Sequence, residues 1–149
     1  MDPLRQHQDA FRIAGLTART TNSEERDPAT ARIAGLWGRF FGEHLYASTP
    51  HRNGDTRVYG VYSAYESDAH GAFDLTAGVA VTQGDGSVAI EAGDYLVFTG
   101  QGEMPQMVIA TWQRIWQYFE AHPHIARRYR TDFEAYDGPD KVSVHIGVS

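Results

Sequence analysis

Residues 131–148 read TDFEAYDGPDKVSVHIGV, a pattern typical of two strands joined by a tight turn. Apolar and polar side chains alternate on both sides of residues 137–140, and the turn itself consists of Asp, Gly and Pro. Upstream of this hairpin, residues 105–119 carry apolar side chains at spacings of three and four, which predicts an amphipathic helix. Residues 93–100 alternate again and predict a strand. A short helical turn is expected at residues 125–128.

The first half of the chain predicts the same order of elements. Residues 10–21 are rich in β-branched side chains and predict a strand. Asp27 offers an N-cap and Pro28 a first helical residue for the helix that follows. Two strands are then predicted at residues 57–65 and 72–83. The order strand, helix, strand, strand therefore occurs twice.

The two halves also match in sequence. Three short motifs recur in the same order: WGRFF at 37–41 and WQRIW at 112–116, YSAY at 62–65 and FEAY at 133–136, GV at 78–79 and GV at 147–148. We predict an α+β fold of one domain, residues 1–149. Its duplicated β-α-β-β halves, about 10–83 and 93–149, form one antiparallel sheet with both helices on one face. A ligand cleft is expected between the helices, at the pseudo-twofold axis.

Alternation along the strands selects the side chains that face this cleft. Glu134 and Tyr136 share one face of their strand. The YSAY motif places Tyr65 at the position of Tyr136, and alternation adds Tyr59 to the same face. Tyr62 is expected on the opposite face, where it covers the sheet.

The predicted helices carry the remaining candidates. All three tryptophans lie on them, and a carboxylate surrounded by Trp and Tyr suits the recognition of lipophilic or aromatic cations. Two alternatives stay open: tryptophan on an apolar helix face commonly packs in the core, and Glu134 could face solvent or pair with Arg114. The candidate ligand-binding residues are Glu134, Tyr136, Trp112, Trp116, Trp37, Tyr59 and Tyr65.

Composition argues against several other functions. The net charge of −6 disfavours direct contact with nucleic acid, and the absence of cysteine removes disulfides and thiolate catalysis. No segment approaches the ~20 apolar residues of a membrane span. His122 and His124 lack a third ligand at a supporting spacing, so neither a metal nor a cofactor is expected. We expect a soluble, cytoplasmic protein without a DNA-reading domain; exposed strand edges could support a homodimer, and any regulatory protein partner is unknown.

Four motifs together resemble the GyrI-like, AraC-type effector-binding family, in its YdeE-like branch of stand-alone, integron-cassette-type proteins. They are WGRFF at 37–41, YGVYSAYESD at 59–68, TWQRIW at 111–116 and TDFEAY at 131–136. The resemblance implies the duplicated α+β fold and a cleft in which a glutamate, here Glu134, meets lipophilic cations among aromatic rings. It favours a drug or effector sensor, linked to transcription regulation or resistance, over an enzyme.

The same resemblance leaves two other functions open. One is a hydrolase of reactive cyclopropane-type alkylating compounds, in which Glu134 would activate water and Tyr136 or Tyr65 would donate to the developing anion. The other is a protein inhibitor of an enzyme such as gyrase.

Overall fold

The computed structural model describes residues 3–68, 70–82 and 88–149. Within these ranges the chain forms eight strands and four helices. In chain order they are β1 (Leu4–Gln8), β2 (Phe11–Thr20), α1 (Asn22–Glu25), α2 (Ile33–Gly42), α3 (Leu45–Ser48), β3 (Val58–Ser63), β4 (Phe73–Val81), β5 (Val88–Ile90), β6 (Gly93–Gln101), α4 (Gln106–Ala121), β7 (Asp132–Tyr136) and β8 (Lys141–Val148). Gln83, the predicted end of the third strand of the first half, lies outside the described residues.

The strands join one sheet in the order β1-β6-β8-β7-β3-β4-β2-β5. Every described pairing between them is antiparallel. The order is symmetric about the junction of β7 and β3, with β8 and β6 on one side matching β4 and β2 on the other. The predicted α+β fold is therefore confirmed, with β2-α2-β3-β4 and β6-α4-β7-β8 as its two halves.

The outermost strands connect the two halves. β1 precedes the first half in the chain but pairs with β6 of the second, and β5 precedes the second half but pairs with β2 of the first. β1 has one apolar residue, Leu4, and so carries no alternating pattern that would predict it. Backbone pairing holds β1 in place, together with an ion pair of 3.0 Å between Arg5 and Asp94.

Both long helices cover the same face of the sheet. Val144, Glu134, Gly60 and Ala77 are successive partners across β8, β7, β3 and β4, so their side chains share one face. Ala77 belongs to the apolar cluster beneath α2, and Val144 belongs to the one beneath α4. This row of four paired residues places Glu134 at the centre of the sheet, between the two helices.

The predicted start of the first long helix is wrong. Asp27 Oδ1 accepts a hydrogen bond from the N–H of Ala29 at 2.9 Å, which closes a turn and does not cap a helix. α2 begins only at Ile33, and Glu25 caps it from outside. The Glu25 carboxylate accepts hydrogen bonds from the N–H groups of Arg32, at 2.9 Å, and Ile33, at 3.1 Å.

The predicted helical turn at residues 125–128 is also wrong. Arg127 forms an antiparallel bridge with Val148, and the N–H of Arg128 donates to the carbonyl of Gly147 at 3.0 Å. Pairing with the backbone of β8 thus replaces the internal hydrogen bonds that a helical turn would need.

None of the helices in the described part of the chain has the length and apolar character needed to cross a membrane.

Candidate functional site

A large cavity opens between α2 and α4 above the centre of the sheet. Its volume is about 1150 Å³, which is slightly larger than that of most small-molecule sites, roughly 300–1,000 Å³. Both halves of the chain contribute to its walls. Six of the seven residues predicted from the sequence line it, namely Trp37, Tyr65, Trp112, Trp116, Glu134 and Tyr136.

Glu134 lies on the sheet side of this cavity and is only 3% exposed. Its Oε2 accepts hydrogen bonds from the indole Nε1 of Trp112 at 2.7 Å and from the hydroxyl of Tyr62 at 2.8 Å. Its Oε1 accepts one from the hydroxyl of Tyr136 at 2.7 Å. The carboxylate therefore joins β3, β7 and α4 through side-chain hydrogen bonds.

The backbone of β3 leaves the space that this carboxylate needs. Gly60 pairs directly with Glu134 across the β3–β7 ladder. A Cβ atom at Gly60 would lie 2.7 Å from Glu134 Oε1 and 3.1 Å from Trp37 Cζ2. Glycine is the residue that permits this close approach, because any side chain here would displace the carboxylate or the indole.

The three hydrogen-bond donors are neutral. Burial raises the pKa of Glu134 above its ordinary value, although the hydrogen bonds from Trp112, Tyr136 and Tyr62 act in the opposite direction. Burial also raises the pKa of Tyr62 and Tyr136, so both hydroxyls keep their protons at neutral pH. Among the residues that the structure describes, Glu134 forms no ion pair. An ionised Glu134 thus leaves an uncompensated negative charge in the cavity.

The neighbouring acid, Asp132, has a charged partner. Arg127 Nη2 donates to Asp132 Oδ2 at 2.8 Å, and the N–H of Gly147 donates to Oδ1 at 2.8 Å. The hydroxyl of Tyr65 also donates to Oδ2, at 2.5 Å. Asp132 is therefore neutralised within the protein, which distinguishes it from Glu134.

Aromatic rings surround the carboxylate. Tyr62 lies edge-on to Trp112 with ring centroids 5.2 Å apart, and Trp112 is 6.2 Å from Trp116. On the opposite wall, Trp37 is 5.6 Å from Tyr136. Four of the six large apolar side chains that are exposed in the described chain line this cavity: Phe41, Met104, Ile109 and Trp116. The mouth of the cavity is therefore apolar.

The predicted faces of two tyrosines are wrong. Tyr59 pairs with Ala135 and belongs to the apolar cluster on the other side of the sheet, with its hydroxyl donating to Asp55 at 2.5 Å. Tyr62 pairs with Asp132, so it faces the cavity together with Glu134. Tyr59 does not line the cavity, and Tyr62, which sequence reasoning missed, does.

The reason is a one-residue error in the match between YSAY and FEAY. Val61 pairs with Thr76, two residues before the glycine of the first GV motif, and Phe133 pairs with His145, two residues before the glycine of the second. Val61 therefore corresponds to Phe133, and Tyr62 corresponds to Glu134. The two GV motifs align β4 correctly with β8. The alignment of β3 with β7 follows from this only when the pairing of β3 with β4 and of β7 with β8 is known.

Comparison with known proteins identifies relatives along nearly the whole chain. The family model of the integron-associated effector binding protein, Cass2, matches residues 6–148. An integron cassette protein from the mobile metagenome of Vibrio cholerae is 36% identical, with a TM-score of 0.83 over 99% of this chain and 96% of that one. No curated protein matches the chain.

Two more distant structures share the fold. One is SAV2435 bound to tetraphenylphosphonium, which is 19% identical with a TM-score of 0.79 over 100% of this chain and 94% of that one. The other, from Staphylococcus aureus MU50, is described as a bacterial transcription regulation protein. It is 20% identical, with a TM-score of 0.80 over 100% of this chain and 99% of that one. The resemblance found in the sequence motifs is thereby confirmed.

Proposed function

Because the chain belongs to the Cass2 family of integron-associated effector binding proteins, we propose that its cleft binds lipophilic cationic or aromatic compounds with Glu134 as the counter-charge. One observation carries the proposal. Glu134 is buried, accepts hydrogen bonds from three neutral donors and has no ion-pair partner among the described residues. A buried negative charge is costly unless it is paired, so a cation bound beside it is strongly favoured.

The surrounding rings suit a cation with a delocalised or shielded charge. The negative faces of Tyr and Trp attract cations, and Tyr62, Trp112, Trp37 and Tyr136 all lie within one cavity with Glu134. The apolar mouth favours compounds with large hydrophobic groups. SAV2435, which has the same fold, was solved with tetraphenylphosphonium, a compound of this kind.

The arrangement of Glu134 favours binding over hydrolysis. A general base needs an acceptor site within hydrogen-bond reach of the attacking water. Hydrogen bonds from Tyr62, Trp112 and Tyr136 already occupy three of the roughly four acceptor sites of this carboxylate and leave one, on Oε1. We therefore propose Glu134 as a binding residue, and a sensor function in regulation or resistance in keeping with the effector-binding family.

Titration with tetraphenylphosphonium tests this proposal, with binding measured by the quenching of tryptophan fluorescence. Glu134→Gln keeps the shape of the side chain and removes its charge. We expect affinity to fall about thirtyfold, which corresponds to about 2 kcal/mol and lies at the low end for a buried charge pair. The neutral compound triphenylphosphine oxide should lose little affinity for the same variant.

Glu120→Gln is the matched control, because Glu120 is exposed on α4 and does not line the cavity. It removes the same charge from the protein without changing the site, so we expect unchanged affinity. Equal affinity of wild type and Glu134→Gln for tetraphenylphosphonium would refute the role of Glu134. Failure of the wild type to bind any lipophilic cation would refute the proposed function.

A further inference from the structure

A second polar group lies in the wall of the same cavity. Arg127 lines the cavity, and its side chain is only 8% exposed. Within the described chain it donates one hydrogen bond, from Nη2 to Asp132. Its Nε is buried without a partner, and Nη1 makes no hydrogen bond to a described residue. Buried donors are normally satisfied, so this guanidinium has unused hydrogen-bonding capacity. Nε is closed to solvent, so Nη1 is the donor that a ligand in the cavity can reach.

The guanidinium is held firmly in this position. Its Cζ lies 4.4 Å from the ring centroid of Tyr129 and 5.8 Å from that of Phe119. Tyr129 has a φ of 52°, in the left-handed region that non-glycine residues rarely adopt. Such backbone strain persists where the surrounding structure enforces it, and it is concentrated at functional sites. A strained residue therefore supports the plane of the Arg127 guanidinium.

From this geometry we infer that the cleft prefers lipophilic cations that also carry a neutral oxygen acceptor, such as a carbonyl, which accepts a hydrogen bond from Arg127. The inference rests on the proposed function, since Glu134 would hold the cationic centre. Asp132 already neutralises the charge of Arg127. A neutral acceptor thus satisfies the free donor of Arg127, whereas a carboxylate would bring a second negative charge into the cavity of Glu134, where the charge of Arg127 is already paired.

The distance between the two acids determines how far the acceptor of the ligand should lie from its cationic centre. Glu134 and Asp132 lie two residues apart on one face of β7, which corresponds to about 7 Å along a strand. Arg127 lies beside Asp132. The acceptor should therefore be separated from the cationic centre by a chain of about five atoms.

Three triphenylphosphonium compounds test the preference on the unaltered protein. They carry a heptyl chain, a 5-methoxy-5-oxopentyl chain with a carbonyl at the required spacing, and a 4-carboxybutyl chain with a carboxylate there. We expect the ester to bind roughly tenfold more tightly than the heptyl compound, because a hydrogen bond to a charged group is among the stronger ones. The carboxylate should bind more weakly than the ester.

Arg127→Lys should abolish this preference, so that the ester and the heptyl compound bind this variant with affinities within about twofold of each other. Lysine keeps a positive charge for Asp132, but its compact ammonium lacks the planar fork with which the guanidinium would reach Asp132 and the ligand acceptor at the same time. The double variant Arg127→Met, Asp132→Asn removes the buried pair together and should give the same loss of preference.

The outcomes separate this inference from the function on which it rests. If the heptyl compound binds and Glu134→Gln weakens it while the ester has no advantage, the acceptor site is refuted and the proposed function stands. A carboxylate that binds more tightly than the ester would also refute it. An ester preference that survives in Arg127→Lys and in the double variant would assign the acceptor site to another residue.

Discussion

At the scale of single residues, the protonation of Glu134 determines the charge of the cleft. Tetraphenylphosphonium stays cationic at every pH, so the pH dependence of its binding reports on the protein. The protein should bind tetraphenylphosphonium tightly at pH values above the pKa of Glu134, where the carboxylate is ionised. The affinity should fall as the pH drops below that pKa and the carboxylate is protonated. Because burial raises this pKa above 4.5, we expect the midpoint of the loss above pH 4.5.

Tyr62→Phe should move this midpoint to higher pH. The Tyr62 hydroxyl donates to Glu134 and lowers its pKa, so its removal makes the carboxylate harder to ionise. Tyr59→Phe is the control, since Tyr59 lies on the other side of the sheet and bonds to Asp55. Binding titrations between pH 4 and pH 8 would measure both midpoints. Equal shifts in the two variants would contradict the assignment of faces.

Gly60→Ala should weaken both the site and the fold. The added methyl group would lie 2.7 Å from Glu134 Oε1 and 3.1 Å from Trp37 Cζ2. Overpacking of this kind costs about 1–3 kcal/mol of unfolding free energy, and displacement of Glu134 should lower the affinity for tetraphenylphosphonium. Urea unfolding and fluorescence titration would measure the two effects.

Gly38→Ala provides the control for that substitution. Gly38 lies in α2 with nothing within 4 Å of an added Cβ. Alanine favours a helix interior over glycine by about 1 kcal/mol, so we expect this variant to be slightly more stable and to bind normally. Normal binding by Gly60→Ala as well would show that the carboxylate has more room than the structure indicates.

The sequence identified Glu134, Tyr136 and the tryptophans as candidates because strand alternation and helical spacing are local properties. It missed Tyr62 because the face of β3 depends on its pairing with β7 and β4, which no local pattern encodes. Similarity between YSAY and FEAY favoured the wrong register by one residue. A shift of one residue exchanges the two faces of a strand, so this small error moved Tyr59 into the predicted site.

At the scale of elements, the start of α2 depends on a side chain outside it. Glu25→Ala removes the acceptor for the N–H groups of Arg32 and Ile33, and we expect it to lower the unfolding free energy by about 1–2 kcal/mol. Glu24→Ala should cost less than about 1 kcal/mol, since Glu24 forms only an exposed ion pair with Arg32 through its side chain. Urea denaturation of both variants, followed by circular dichroism, measures the difference.

This capping also explains the wrong helix start predicted from Asp27 and Pro28. The pair has the residue types of a helix start, but Glu25 reaches α2 from the end of α1 through contacts that only the folded chain creates. A larger effect of Glu24→Ala than of Glu25→Ala would contradict the assigned cap. Strands β2, β3, β4, β6, β7 and β8 and helix α4 were predicted within a few residues, because their apolar periodicity is strong and local. Strand β1, which has no such periodicity, was not predicted.

At the scale of the whole molecule, each outermost strand pairs with the half of the chain to which it is not adjacent in sequence. Deletion of β1 should therefore affect the second half and not the first. Removal of residues 1–8 eliminates β1, which pairs with β6. We expect faster amide hydrogen exchange in β6 of the second half, while β2, the next strand along the chain, keeps its protection through β4 and β5. Mass spectrometry of exchanged peptides resolves the two strands, and faster exchange confined to β2 would contradict the described pairing.

The exchange of β1 and β5 makes the two halves interlaced, because each half borrows an edge strand from the other. A chain cut between residues 82 and 88 would produce two fragments, each with a strand that can pair only in the other. Alone, the first fragment would leave β2 without β5, and the second would leave β6 without β1. The two fragments together could restore every described ladder. The molecule is thus suited to a split-protein reporter, in which a compound that bridges α2 and α4 drives the fragments to assemble.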